Sequence, residues 1–276
     1  MTTLATIIIL IILTGAALWI WRRQDHKADE AARQWLRATQ PTEPARFDPA
    51  MVSALPEPAR RYFQFAILPG TPLYTVADIS MSGQFGLGTR ARPNYMSMQA
   101  GQTLALPTGF VWKMGARKGL MSLSGSDSDS WTRFWLSGLL PVARRGGDSD
   151  HARSAFGRYA AEAVFWTPAA LLPGPGIHWE AVDLNTTRVV IRHKGMVQPV
   201  DVTVAADGSP LVVSFPRWSN ANPDKVHRIQ PFGGYLSAYR EFSGFRLPTH
   251  VEAGNFFGTG DYFPFFIIDV SAISFP

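Results

Sequence analysis

Cysteine does not occur in this 276-residue chain, which excludes disulfides, thiolate metal ligation and cysteine nucleophiles together. It also removes cysteine usage as a reporter of redox compartment. Charge is sparse, with 17% Asp, Glu, Lys and Arg against 46% hydrophobic residues. That balance supplies a full core and is too apolar for a disordered chain. Lysine is scarce as well: five against 21 arginines, within a net charge of +5. The cations are dispersed, in runs no longer than pairs such as Arg22-Arg23, Arg60-Arg61 and Arg144-Arg145. Phosphate neutralisation needs clustered cations, so nucleic acid is not an expected partner. A mildly basic protein beside an anionic membrane surface is the plainer reading.

Catalytic motifs are missing too. The histidines at 26, 151, 178, 193, 227 and 250 form no H-x-H or H-E-x-x-H spacing, so no local zinc site is expected. There is no G-x-S-x-G nucleophile elbow. The glycine-rich stretches lack the G-K-[ST] ending of a phosphate loop and read as turns and bulges. Two Asp-Ser-Asp triplets, Asp127–Asp129 and Asp148–Asp150, hold carboxylates suited to a hard cation, but neither continues into an EF-hand loop. They read as polar loops. No catalytic residue, metal site or cofactor is assigned.

What is present begins with an anchor. Leu4 to Trp21 is an uncharged 18-residue stretch, which as a helix spans ~27 Å, about one hydrocarbon thickness. Trp19 and Trp21 sit at its end, where indoles favour the headgroup level, and Arg22-Arg23 stop it. A cleaved signal peptide is the rival, yet residues 1–6 carry no Lys or Arg and the apolar run continues past the small residues Gly15-Ala16-Ala17. The bilayer is therefore an expected partner through residues 4–21, making a single-pass protein of the cell membrane. Five basic residues follow between positions 22 and 37 and none precede, which by the positive-inside rule places the bulk of the chain in the cytoplasm.

The organisation reads as an anchor over 1–23, a juxtamembrane helix (Ala28 to Ala38) with a Pro41–Pro44 linker over 24–47, and a β-rich domain over 48–276. Asp48-Pro49 is a good helix start, and a second short helix is expected from Pro58 to Ile67. From Tyr74 onward the chain turns to short alternating segments. Val200, Val202 and Val204 alternate with Asp201 and Thr203, Asp207-Gly208 makes a turn, and Leu211, Val213 and Phe215 resume the alternation. Strands are also expected at 75–86, 94–104, 110–116, 119–124, 130–137, 177–183, 189–193, 234–243 and 246–257. Connections this short exclude crossover helices, so the strands are antiparallel. The last, from Asp261 to Phe275, is apolar on both faces, so both need a cover, and helices or a ligand could supply one. One strong amphipathic helix, about His151 to Trp166, repeats Ala152, Ala155, Phe156, Tyr159, Ala160 and Ala163 at helical spacing. Laid across a sheet face it gives an α+β, mainly antiparallel architecture with one or two covering helices, preceded by the transmembrane helix.

Arg158-Tyr159-Ala-Ala-Glu162-Ala163, Trp166-Thr-Pro168-Ala-Ala170-Leu171-Leu172-Pro173 and Gly176-Ile-His-Trp179-Glu180 together resemble the signature of a bacterial family of uncharacterised membrane-anchored proteins. Phe232-Gly-Gly-Tyr235, Arg246-Leu-Pro248, Glu252-Ala-Gly-Asn255 and Tyr262-Phe-Pro-Phe-Phe266 extend the resemblance, which covers roughly residues 52–275. It implies no activity. By analogy it implies a curved sheet like that of lipoprotein-carrier proteins, and an envelope-facing domain, opposite to the charge count. The side of the membrane is thus open.

Three functions are compatible with these residues. The favoured one is non-enzymatic binding of an apolar or lipid-like ligand at the membrane, with Trp166, Trp179, Phe257, Tyr262 and Phe266 lining the site and Arg158 and Glu162 as polar anchors. The second is a hydrolase-like enzyme using Glu162 as acid/base. The third is a structural envelope protein with an exposed apolar patch.

Overall fold

The computed structural model describes residues 2–276 and consists of one antiparallel sheet of thirteen strands with three α-helices. Helix α1 (Thr2–Arg37) leads into an extended segment, a 3₁₀ turn at Pro49–Val52 and helix α2 (Glu57–Ala66). One arm of the sheet follows as a meander: β1 (Val76–Gly86), β2 (Tyr95–Ala105), β3 (Gly109–Lys118), β4 (Met121–Ser128), β5 (Trp131–Leu136) and β6 (Leu140–Gly146). Helix α3 (Ser149–Trp166) and a 3₁₀ turn (Pro168–Leu171) carry the chain across to the other arm. That arm runs back from the far edge: β7 (Ile177–Ala181), β8 (Thr186–His193), β9 (Met196–Val204), β10 (Pro210–Ser219), β11 (Arg228–Phe242), β12 (Phe245–Asn255) and β13 (Phe263–Ser274). β13 pairs with β1 and joins the two meanders into a single sheet. The α+β, mainly antiparallel expectation holds.

Alternation decides what each face meets. Along β5, Trp131, Arg133 and Trp135 take the outer side, while Thr132 and Phe134 take the inner one. On β9, Val200, Val202 and Val204 are buried inward and Asp201 pairs outward with Arg188, Nε to Oδ1 2.6 Å. The inner face is concave and holds α3, which touches β9 and β10 of one arm and β2, β3 and β6 of the other. Helix α3 is buried on nearly every side from Ala155 to Trp166 because the sheet curls around it. Small residues make the approach possible: a Cβ on Gly157 would stand 2.8 Å from Gln198 Oε1. Asp148 starts the helix by accepting from His151 N–H at 2.7 Å.

Helix α1 runs unbroken from the apolar stretch through the juxtamembrane segment. Residues 3–17 are exposed, and none of the apolar span is buried. The polar half behaves differently. Arg22, Asp25, Asp29, Arg33 and Leu36–Arg37, spaced three and four apart, share one helix face laid on the outer surface of β1–β5. Asp25 accepts from Trp135 Nε1 at 2.9 Å and pairs with Arg144 at 2.8 Å; Asp29 accepts from Ser126 Oγ and Arg133 Nη2, both at 2.7 Å. Leu36 closes a small second core with Val76, Ala105 and Val111.

β6 is a strand that the sequence reading omitted. It pairs only with β5, so Pro141 costs no ladder bond in the sheet interior. The Asp48-Pro49 start produces one 3₁₀ turn, with Asp48 accepting from Ala50 N–H at 2.9 Å.

Candidate functional site: an apolar cavity under helix α3

A cavity of about 260 Å³ lies between the C-terminal half of α3 and the concave face, where the two arms meet. Its walls are Trp112 and Phe134 from one arm, Phe215 and Phe232 from the other, and Phe165 and Trp166 from the helix. The floor depends on an irregularity in β13. Ala253 pairs with Phe266 but Asn255 pairs with Phe263, so the register slips by one residue between them. Phe265 and Phe266, which a regular strand would send to opposite faces, both line the cavity. Gly254 sits at the slip, where a Cβ would meet Phe263 O at 1.8 Å.

Four charged residues line these walls: Asp127, Arg158, Glu162 and Arg217. Three are locked together. Arg158 Nε donates to Glu162 Oε1 at 2.8 Å and its Nη1 to Asp127 Oδ2 at 2.6 Å, while Gln102 Nε2 reaches the other Glu162 oxygen at 2.5 Å. Thr132 Oγ1 also donates to Asp127. The guanidinium lies over the rings of Phe110 and Trp112, 4.7 and 5.1 Å from their centroids. Burial alone would lower its pKa, but Glu162 and Asp127 outweigh burial and raise it. A cation bridging two carboxylates, with one charge-assisted hydrogen bond to each, is a satisfied, rigid element.

Arg217 is different. No hydrogen bond or ion pair engages its side chain among the described residues, and its contact is the ring of Phe232 at 4.7 Å. Burial, with Arg158 as a second cause and Asp127 and Glu162 opposing from a distance, pushes its pKa down to about 10, so it stays protonated at neutral pH. Its Nε is enclosed without a partner, and so are the indole N–H groups of Trp112 and Trp166. All three belong to residues of the cavity wall.

Of the residues singled out in the sequence, Trp166, Phe266, Arg158 and Glu162 come together at this cavity. Trp179, Phe257 and Tyr262 do not line it. Trp179 belongs to the core between β7 and α2, against Tyr62 and Phe63, with Nε1 donating to Leu171 O at 2.9 Å. Phe257 and Tyr262 pack with Tyr235 on the opposite side of β11, where the Phe257 ring covers Gly233. Strand parity is the reason: Phe232, Gly234 and Leu236 face inward, so Tyr235 and whatever stacks on it face outward. The residues missed include Trp112, Phe134, Phe165, Phe215, Phe232, Phe265, Asp127 and Arg217. Arg217 had a legible signal, since Val213, Phe215 and Arg217 share one face of β10 and an arginine continues an apolar series. Asp127, read as polar loop, is instead a strand residue facing Arg158. Among the described residues, no group of three or more His, Asp or Glu side chains is placed to hold a metal ion.

Two solved structures resemble the chain in outline. A LolA superfamily protein from Nitrosomonas europaea has 10% identity and a TM-score of 0.39, with 79% of this chain and 92% of that one covered. A putative outer membrane lipoprotein-sorting protein domain from Vibrio parahaemolyticus has 12% identity and a TM-score of 0.38, with 72% and 85% covered. No curated protein matches the sequence. A family model matches residues 45–267, a span containing the whole cavity wall, and by it the chain belongs to the family of unknown function DUF6544.

Proposed function

We propose that this protein is a membrane-tethered carrier or receptor that holds one apolar, lipid-like chain under α3 without transforming it. The observation that carries the reading is the cavity itself: aromatic walls drawn from both arms of the sheet, with its charged groups confined to one side-chain cluster and Arg217. Its volume of about 260 Å³ suits a single chain or part of a larger lipid. Both oxygens of Glu162 are engaged, by Arg158 and Gln102, which favours a positioning role over proton transfer.

The tether supports the same reading. The apolar half of α1 is long enough to cross a bilayer. Where the helix meets the sheet, Trp21 packs on Trp135 at 5.6 Å and Arg22 Nη1 donates to Gly138 O at 3.3 Å. The adjoining hairpins expose Leu120, Leu139 and Leu140. Those tips would rest on the headgroup layer, and the domain would stand against the lipid from which it draws its ligand.

The test is photo-crosslinking of the full chain in phosphatidylcholine nanodiscs with a diazirine-bearing fatty acid. Adducts are expected on peptides containing Phe165–Trp166, Val213–Arg217 and Phe232–Leu236, and are expected to disappear in Ala161→Phe, which fills the cavity. Labelling confined to residues 4–21, the lipid-facing helix, would sink the proposal.

A further inference from the structure

Every enclosed side-chain polar atom left without a partner on the cavity wall is a donor: Arg217 Nε and the indole N–H groups of Trp112 and Trp166. The wall's acceptors are already committed, since Asp127 and Glu162 take Arg158, Thr132 and Gln102 between them. Arg217 is half-buried, and Asp127 and Glu162 attract it without touching it, so its charge is only partly compensated and gains from an anion in contact. The two arginines of the wall make the contrast plain. Arg158 is neutralised twice over by side chains of this fold, while Arg217 stands on β10 with an aromatic ring beneath it and no anion in contact.

We infer that the ligand is an acidic amphiphile, whose carboxylate or phosphate oxygens bind Arg217 while its chain lies among Phe215, Phe232, Phe265 and Phe266. The inference rests on the apolar-cavity reading above and adds the head to the chain. A guanidinium presents a planar fork of N–H donors that matches both anions with two parallel hydrogen bonds. A cationic head would meet Arg217 with like charge. An alcohol would leave the fork half used. The formal charges of the four residues cancel, so the anion is selected by local pairing at Arg217 and not by a net positive field. Arg158 and its two carboxylates then serve as a fixed wall that keeps the head on the β10 side.

Titration calorimetry on the full chain in phosphatidylcholine nanodiscs, with empty discs subtracted, tests this. Four probes of equal chain length are compared at pH 7.5: decanoate, decyl phosphate, decanol and decyltrimethylammonium. The expected result is that at least one anionic probe binds about tenfold or more tightly than decanol, with the ammonium probe weakest. Arg217→Met is expected to lose that preference and keep decanol binding, while Arg217→Lys retains part of it. Preference for decanoate over decyl phosphate would identify a free fatty acid as the source of the head, and the reverse a phospholipid. Equal binding of decanol and both anions by the natural protein would overturn the inference and leave the apolar cavity standing, and needs no variant to fold. A preference that survives in Arg217→Met overturns it equally. Binding of none of the four probes would overturn the apolar-cavity reading, and the acidic head with it.

Discussion

On β5, Trp131, Arg133 and Trp135 point to one side of the sheet and Thr132 and Phe134 to the other, and the two sides are closed by different means. Outside, α1 brings Asp25 and Asp29 onto Arg133, Arg144, Ser126 and Trp135, so that both arginines have a carboxylate in contact, although Arg133 Nε and Arg144 Nε and Nη2 are enclosed without a hydrogen bond. Inside, α3 brings small and aromatic residues over an apolar surface that it does not fill. A helix that docks through ion pairs must sit in one register, because a step of one residue along α1 would separate Asp25 from Arg144 and Asp29 from Arg133 together. A helix that docks through alanines and rings over a void is constrained only where it touches. The outer face therefore fixes the tether, and the inner face leaves room for a ligand.

The largest effect should come from Arg158, and Arg217 on the same face should not share it. Arg158→Met leaves Asp127 and Glu162 enclosed without their shared cation, and breaking such a cluster costs about 3–5 kcal/mol. Arg217→Met removes a cation that has no ion pair or hydrogen bond in contact, and is expected to be neutral or stabilising by about 1 kcal/mol. Denaturation of the full chain in one detergent, followed by near-UV circular dichroism, measures both. If the two variants lose equal stability, Arg217 has a structural partner and the contrast between the two residues is wrong.

A smaller effect is expected on the outer face. Asp29→Ala deprives Arg133 and Ser126 of their carboxylate, but Asp25 remains within 3.4 Å of Arg133. The loss should be about 1–3 kcal/mol and local in character. Hydrogen exchange should show faster amides over residues 24–37 while those of α3 keep their protection. Equal loosening of both helices would show that the two faces are not independent.

These comparisons also mark what could be read in the chain beforehand. α3 was legible from its apolar repeat, and most strands from alternation, because both are local signals. The two-faced character of β13 was legible, but the slip that turns Phe265 and Phe266 to one side depends on pairing with β12 and has no local signature. β6, with a proline and two arginines in seven residues, carries no alternating pattern and exists because β5 offers an edge. Composition suggested a boundary near Arg23, yet helix geometry continues through it, since no glycine or proline interrupts residues 16–37. The ion pairs of Asp25 and Asp29 that hold α1 down link residues about a hundred positions apart, beyond any periodicity argument. In the site, Arg158 and Glu162 were legible as neighbours four apart on a helix. Trp179 and Trp166 were indistinguishable as sequence; only the fold separates a core tryptophan from one beside a cavity.

The outer face continues beyond the footprint of α1, and there its ion pairs stand in solvent, which allows the cover itself to be weighed. On β12 and β13, His250 Nδ1 lies 2.8 Å from Asp269 Oδ1 and Nε2 3.5 Å from Glu252 Oε1, with the Asp269 side chain 76% exposed. The hydrogen bond to Asp269, helped by Glu252, raises the His250 pKa. A raised folded-state value means that the native protein binds the proton more tightly than the unfolded chain does. The resulting stability is complete below the ordinary histidine pKa near 6.5 and is lost as pH climbs through the higher folded value. His26 and His193 act oppositely, because burial lowers their pKa values and stability from them grows with pH. The contribution of His250 is therefore read as a difference, natural protein minus His250→Gln, in denaturation midpoints between pH 5.5 and 8. It should amount to a few tenths of a kcal/mol, the usual worth of an exposed pair, and should vanish at the alkaline end. A difference as large as that for Asp29 would mean that covering by α1 adds nothing to an ion pair on this face.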